Sequence, residues 1–314
     1  MAPERARRGR RSWKRYSSRT FYLFVSPWII GFTLLTALPL GYALLVSLTN
    51  FNGRTDRWRW IGLRNYRELF GDADAVASLV RTLAYTAIAV PLMVAGGLGL
   101  AVLLNRRLKG VGLFRTIFFL PSVVPVVAMA IMWKLILNRD AGILNALLEK
   151  VSIGPIAWLV DPNAFYALII LTLWGLGGGM VIMLAALQGV PAELEEAAAV
   201  DGASRWHVLR HITVPMISPA IFFQVVTGVI AALQIIIQPL LLAETNQVGS
   251  VAQVPQNTHL FMVQVYQEFF ANNRYGYGSA MLWVFFLVIL LITVVVQRSS
   301  RLWVHYEVDS EADR

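Results

Sequence analysis

The 314-residue chain contains no cysteine, which excludes disulfide frameworks, thiolate nucleophiles and cysteine-based metal sites. Charge is scarce as well: Asp, Glu, Lys and Arg make up 14% of the residues, against about 25% in soluble domains. No lysine follows a glycine, because Lys14, Lys109, Lys134 and Lys150 come after Trp, Leu, Trp and Glu. A P-loop, which needs that dipeptide to bring its lysine onto nucleotide phosphates, is therefore missing, and catalysis of ATP cleavage is not expected in this chain. There are four histidines, and no Ser, His and Asp arrangement has a recognisable catalytic spacing. Ser26, Ser47 and Ser122 read as helix residues rather than nucleophiles. His207 and His211 stand one helical turn apart, but "HVLRH" lacks the glutamate of a metalloprotease helix and no third ligand is evident. They read as part of a solvated polar face. No internal repeat of about 20–50 residues is visible, which sets aside solenoids and the inverted repeats of many secondary transporters.

What the chain does have is oil. Hydrophobic residues make up 57% and the mean hydropathy is +0.60, values of an integral membrane protein. Asp, Lys or Arg at mid-bilayer costs roughly 2.5–3.5 kcal/mol on insertion scales, so charge-free windows locate the spans. They run Phe21 to Gly53, Thr82 to Asn105, Thr116 to Trp133, Pro162 to Ala192, His211 to Ala243 and Tyr275 to Gln297. Each can hold the about 20 residues of a spanning helix. A seventh window, Thr245 to Gln267, is rich in Gln and Asn, contains Pro255, and reads as an extramembrane loop. The expectation is an all-α polytopic protein: a basic segment over 1–20, a six-helix membrane domain over 21–297, and a tail over 298–314.

An even number of spans puts both termini on one side, and basic residues choose it. Arg5, Arg7, Arg8, Arg10, Arg11, Lys14, Arg15 and Arg19 precede the first span, and Arg106, Arg107, Lys109 and Arg115 crowd the loop after the second. Arg205, Arg210, Arg298, Arg301 and Arg314 fall on the same face, which the positive-inside rule makes cytoplasmic. Arg54, Arg57, Arg59, Arg64, Arg67 and Arg81 lie in or beside the first outer loop, so the N-terminal block carries most of this argument. The net charge of +9 is accounted for by a basic flank against anionic lipid, with no nucleic acid required. The first apolar run exceeds the 7–15 residues of a signal-peptide core and is followed by no small-residue cleavage site, so a retained helix is expected.

Several spans contain Pro or clustered Gly: Pro27 and Pro39, Pro91 and Gly96-Gly97, Pro121 and Pro125, Gly175 and Gly177 to Gly179, and Pro239. In a bilayer such breaks survive where neighbouring helices or a wet cavity satisfy the freed backbone groups. Close packing through small residues, as with Gly175 and Gly179 at GxxxG spacing, is the alternative.

One passage interrupts the oil. In "EEAAAVDGASRWHVLRHITVPMISPAI", Pro191 and the early Glu193, Glu195 and Glu196 predict a helix to Val200. Asp201-Gly202 predicts a turn, and Ser204 the cap of a second helix that Pro215 ends. Trp206, Leu209 and Ile212 recur on one side of that second helix. The small residues Ala197, Ala198, Ala199, Gly202 and Ala203 leave a smooth surface suited to docking into a groove. On composition alone a surface helix lying at the membrane interface fits equally well.

Spacing favours docking. Glu196-Ala197-Ala198, then Gly202, then Ile212, Val214 and Pro215 resembles the EAA loop of the membrane subunits of bacterial ATP-binding-cassette importers, with Val214 where the family pattern has Leu. "PWIIGFTLLTALPLGYALLVSLTNF", "WIGLRNY", "FFLPSVVPVVAMAIMWKLILNRDAGILNALL" and "YGYGSAMLW" look like the sugar-type permeases, most like the first permease of a pair, as in maltose, multiple-sugar and glycerol-3-phosphate uptake. The resemblance implies the type I importer permease fold and a multi-pass subunit of a bacterial cell membrane. It implies a distinct second permease, a cytoplasmic ATPase dimer carrying ATP and magnesium, an extracytoplasmic solute-binding protein, and no cofactor in this chain. Carried over, Glu196, Ala197, Ala198, Gly202, Ile212 and Pro215 are coupling residues with Asp201 in the turn, and the hairpin over 191–213 is a lever.

The fifth window adds an observation of its own. At 100° per residue Gln224, Thr227, Gln234 and Gln238 fall within about an 80° arc, so four polar side chains share one face of an apolar helix. They line a translocation pathway for a sugar or sugar-like solute, or they hydrogen-bond a neighbouring helix; the sequence leaves both open. The rival function is an ion-coupled carrier for a small neutral solute. Such carriers bury ionisable groups in the membrane, for which Lys134 is the nearest candidate.

Overall fold

A computed structural model of the chain describes residues 18–54, 58–106, 109–243 and 254–305. The N-terminal block through residue 17, residues 244–253 of the predicted loop, and the tail from 306 lie outside the described residues. Regular structure among the described residues is helical, with one isolated antiparallel bridge between Thr49 and Trp60. The helices are α1 (Arg19–Ser47), α2 (Arg64–Gly71), α3 (Ala73–Leu104), α4 (Val111–Val123), α5 (Val126–Ile136), α6 (Ile143–Glu149) and α7 (Ala164–Trp174). They continue as α8 (Gly177–Gln188), α9 (Ala192–Val200), α10 (Arg205–Met216), α11 (Ser218–Leu233), α12 (Ile237–Leu242), α13 (Phe261–Tyr266) and α14 (Tyr275–Trp303).

The six expected spans divide into two kinds. α1, α3 and α14 are each long and apolar enough to cross a membrane unbroken. The other three are bent pairs: α4 and α5 meet at 100°, α7 and α8 at 44°, α10 and α11 at 68°. Pro121 and Pro125 cause the sharpest bend, because each lacks an N–H and its ring crowds the preceding turn. Gly175 sits in the α7–α8 bend, so the expected GxxxG pair with Gly179 is not carried by one straight helix.

Proline is handled differently where a helix continues. Pro39 and Pro215 each follow a π-helical stretch, Thr33–Ala37 and Leu209–Thr213, whose wider turn makes room for the ring. Pro215 therefore does not end α10, as the sequence predicts. The helix runs to Met216 and breaks at Ile217.

α3 is the hub against which α7, α8, α11 and α13 pack. Its buried positions Ala75, Ser78, Thr82, Tyr85, Thr86, Ala89, Val90, Gly97, Ala101 and Leu104 recur at helical spacing and are mostly small. The hydroxyls of Ser78, Thr82 and Thr86 donate to the carbonyls of Ala75, Ser78 and Thr82 at 2.7–2.8 Å, so none of these three donors is stranded. α8 meets α4 as closely: a Cβ on Gly177 would lie 2.0 Å from the Phe118 carbonyl oxygen. Gly177→Ala is expected to lower thermal stability in detergent by about 1–3 kcal/mol, the range for overpacking. Gly178→Ala is expected to be near neutral, since its Cβ would find Ser122 Cβ at 3.7 Å.

The seventh window, read as an extramembrane loop, holds none of the candidate spans, and where it is described it packs against the bundle. Phe261, Val263, Gln264 and Val265 are buried, and Phe261 packs on Phe285 of α14 with ring centroids 4.6 Å apart. The segment is held to α3 by the Phe261 N–H donating to Thr82 Oγ1 at 2.8 Å and by Arg81 Nε donating to the His259 carbonyl at 3.1 Å. Asp161 accepts the N–H groups of Gln256 and Asn257. Its Gln and Asn content signals polarity, but the alternating Phe, Val and Val of α13 supply the apolar side that buries it.

This segment carries a pH dependence. Burial lowers the His259 pKa from its ordinary 6.5, with Arg81 adding to the effect against the opposing influence of the Gln267 hydrogen bond and Asp74. The neutral ring is the folded form, so its contribution to stability is complete above that value and is lost as pH falls below it. Burial raises the Glu268 pKa, an effect of opposite sign that persists in both chains compared here. Between pH 8 and pH 5 the parent is expected to lose more thermal stability than His259→Gln; equal losses would remove His259 as the cause.

Candidate functional site

The hairpin forms as its residues dictate. Pro191 sits at the cap before α9. At the far end Gly202 adopts φ +80°, its N–H donates to the Ala199 carbonyl at 3.1 Å, and the Ala203 N–H donates to the Ala198 carbonyl at 2.9 Å. These two bonds close a Schellman motif, which needs a left-handed residue at its centre. Ser204 Oγ then accepts the His207 N–H at 3.2 Å and starts α10. Thr213 Oγ1 donates to Glu195 Oε1 at 3.2 Å, tying the two helices together near their roots.

Glu195 is thus committed within the hairpin, whereas Glu196, Ala197 and Asp201 are exposed and Ala198 is half-buried. Val200 is 87% exposed and Trp206 68% exposed, so the tip presents apolar side chains to its surroundings. Of the predicted stripe, Leu209 and Ile212 are half-buried while Trp206 points away from the bundle. His207 and His211 stack with ring centroids 4.1 Å apart and are exposed.

The predicted polar face is divided by the structure. The fifth span does not continue through Gln234 as one helix: α11 stops at Leu233 and α12 starts at Ile237. The constant 100° step fails at that gap. Gln224 Nε2 donates to the Gly179 carbonyl of α8 at 3.3 Å, an interhelical bond. Thr227 is exposed and donates back to the Phe223 carbonyl at 2.8 Å. Gln234 and Gln238 instead line a cavity of about 470 Å3.

That cavity lies where three helix breaks converge. Pro121, Ser122 and Val124 come from the α4–α5 bend, Gly175 from the α7–α8 bend, and Gln234, Ile235 and Ile236 from the gap before α12. Irregular backbone at membrane depth is stable where it lines such a space. No lining residue is charged. Tyr85 and Thr172 join from α3 and α7, their hydroxyls 2.8 Å apart. Gln234 and Gln238 have no protein hydrogen-bond partner among the described residues, which leaves amide donors and acceptors for a bound molecule. Sequence reading missed Tyr85, Thr172 and Ser122. The flanking Pro121 and Pro125 were the available signal for Ser122; nothing local marked the other two.

Lys134 donates to the Ala243 carbonyl, which gives it a structural tie between α5 and the end of α12.

Residues 93–303 match the family described as binding-protein-dependent transport system inner membrane component. The chain belongs to that family. Among this permease's relatives, YesP of Bacillus subtilis, named a probable ABC transporter permease, is 39% identical over 92% of this chain and 93% of its own. The lactose transport permease LacF of Rhizobium radiobacter is 36% identical over 72% and 76%. The diacetylchitobiose uptake permease NgcF of Streptomyces coelicolor is 30% identical over 96% and 88%. The fold matches a chain of a bacterial alginate ABC transporter solved with its periplasmic protein: TM-score 0.78, 21% identity, 90% of this chain and 94% of that one. The permease is therefore a membrane-embedded subunit of an ATP-binding-cassette transporter.

Proposed function

We propose that this permease forms half of the translocation path of an importer for a neutral sugar or sugar-like solute. The observation that carries the reading is the uncharged cavity at the three helix breaks, with Gln234 and Gln238 presenting amides to it. Its volume suits a small ligand. Amides and hydroxyls can hydrogen-bond sugar hydroxyls without imposing a charge. The names of LacF and NgcF, with lactose and diacetylchitobiose, support that solute class.

In this reading a second, distinct permease completes the path. None of the most apolar window of α1 is buried within this chain, which leaves that helix to lipid and to the second permease. The hairpin faces the cytoplasm, where Glu196, Ala197, Ala198, Asp201 and Gly202 dock on an ATPase dimer that holds ATP and magnesium. Ile212 and Pro215 carry the push into α11. Both termini lie on that side of the inner membrane, and an extracytoplasmic binding protein delivers the solute opposite. The ion-coupled carrier is disfavoured by family and by Lys134, which is tied to a backbone carbonyl.

The test is reconstitution of the permease and its partners in liposomes with radiolabelled neutral oligosaccharides. Uptake that requires ATP and the ATPase supports the proposal. Uptake by this chain alone, driven by an ion gradient, would overturn it.

A further inference from the structure

Arg54, Arg59, Arg64 and Arg67 stand past the end of α1 opposite the basic N-terminal block, on the side that the positive-inside rule depletes of positive charge. Over 54–70 the sequence sets five arginines against two acids, Asp56 and Glu68, and of these Asp56 and Arg57 lie outside the described residues. The four described arginines are exposed and make no ion pair among the described residues, where both pairs found belong to Arg274. Neighbouring acids are already engaged. Glu68 pairs with Arg274, while Asp72 caps α3 through Oδ1 and accepts the Tyr277 hydroxyl at Oδ2. The counter-charge for these arginines comes from outside the chain.

Local bonds fix this positive surface at the level where α1 ends. Thr49 bridges Trp60, the Asn50 N–H donates to the Arg59 carbonyl at 3.1 Å, and Asn65 Nδ2 donates to the Ser47 and Thr49 carbonyls at 2.7 and 2.9 Å. The charge-free run from Phe21 stops at Gly53, so Arg54 is the first charge past the span. At about 100° per residue Arg64, Arg67 and Phe70 fall within about a 120° arc of α2, opposite the buried Asn65 and Leu69. Trp58, Trp60, Leu63 and Phe70 are exposed among the arginines. Indoles interleaved with cations suit a headgroup layer, where the ring sits at the apolar boundary and the guanidinium meets phosphate. We propose that this surface binds the phosphates of anionic phospholipids in the leaflet at that end of α1. The contact anchors α2, and through it the starts of α3 and α14, to the bilayer. None of the most apolar window of α1 is buried within the chain, and continuity with that helix favours lipid over a soluble partner. This contact is independent of the solute and of what docks on the hairpin.

The absence of native cysteine permits a single reporter. Gly71→Cys places it on α2 between Arg64 and Arg67 on the helical wheel, and no atom lies within 4 Å of the Cβ it adds. The full chain, in the complex that purifies with it, carries a fluorophore there in phosphatidylcholine vesicles with a minority of phosphatidylglycerol, an acyl-chain nitroxide being placed on one lipid or the other. Quenching per mole is expected to be about fivefold stronger from phosphatidylglycerol, the preference that one arginine near an anionic surface supplies. Changing Arg54, Arg59, Arg64 and Arg67 together to Gln should remove the preference. Changing the same four to Lys should retain most of it, since the charge remains. A reporter at the exposed Val151→Cys, beyond α6, should show no preference in any of these chains. Equal quenching by the two lipids in the parent would overturn the proposal, as would a preference that survives the Gln changes. Equal quenching joined to shielding of the reporter by added solute-binding protein would also overturn it, and would assign the arginines to a protein acid.

Discussion

Gly202→Val is expected to abolish ATP-driven transport while leaving the membrane bundle folded. No atom lies within 4 Å of the Cβ that a side chain would add, so steric exclusion is not the cause. The cause is the backbone: φ of +80° costs an L-residue roughly 1–2 kcal/mol, and a β-branched side chain more. Relief of that strain breaks the Schellman bonds to Ala198 and Ala199 and swings α10 relative to α9. Docking of two helices into one cleft tolerates little misalignment, and each 1.4 kcal/mol lost is about tenfold in affinity. Asparagine enters the left-handed region at lower cost, so Gly202→Asn should recover most of the activity. Loss in both variants, or in neither, would contradict the backbone argument. Glu196→Lys supplies the electrostatic counterpart: the hairpin stays intact because Glu195, not Glu196, binds Thr213. Its ATPase docking should fail, and unchanged assembly and transport would remove Glu196 from the interface.

Gln234→Leu and Gln238→Leu together are expected to reduce solute uptake by about tenfold or more at equal expression. Both side chains reach the cavity, and a polar group lost from a buried sugar contact costs about 1–3 kcal/mol through the hydroxyl left unpaired. Thr227→Val should transport as the parent does, because Thr227 bonds its own helix and lies outside the cavity lining. Gln224→Leu separates a third effect: it removes the bond to Gly179 and should lower stability more than uptake per folded molecule. Full uptake in the double Gln234 and Gln238 variant would defeat the pathway assignment.

These contrasts show what sequence could and could not reveal. The first helix, the turn and the start of the second helix of the hairpin were legible because their determinants are local: a glycine that must be left-handed, a serine that caps, a proline before the first helix. The end of the second helix, expected at Pro215 and found at Met216, was not. The breaks at Pro121 and Gly175 fall at residues the sequence marks, whereas Pro27, Pro91 and Gly96-Gly97, marked in the same way, lie inside unbroken helices, so residue type alone does not decide where a span bends. The gap at Gln234 was not. "ALQIIIQP" carries no glycine, and Pro239 lies beyond the gap, so only packing of α12 on α5 and α7 opens the helix there. A helical wheel drawn through that gap put Gln224 and Thr227 beside Gln234 and Gln238, whereas tertiary structure separates them. Tyr85 and Thr172 belong to the same class: helix residues brought to the cavity from different spans, 87 positions apart in sequence. The burial of α13 likewise depends on Thr82 and Phe285, partners far away in sequence.

The central claim is the proposal that this chain is one of two membrane subunits of a machine whose motor is another protein, coupled through the hairpin. The most direct measurement is affinity purification from mild-detergent extracts of native membranes, using tagged parent and tagged Gly202→Trp, with partners identified by mass spectrometry. The account predicts an ATPase, a second permease and a solute-binding protein with the parent, and loss of the ATPase alone with the variant. Recovery of the intact parent without an ATPase, or equal ATPase recovery with both chains, would contradict it.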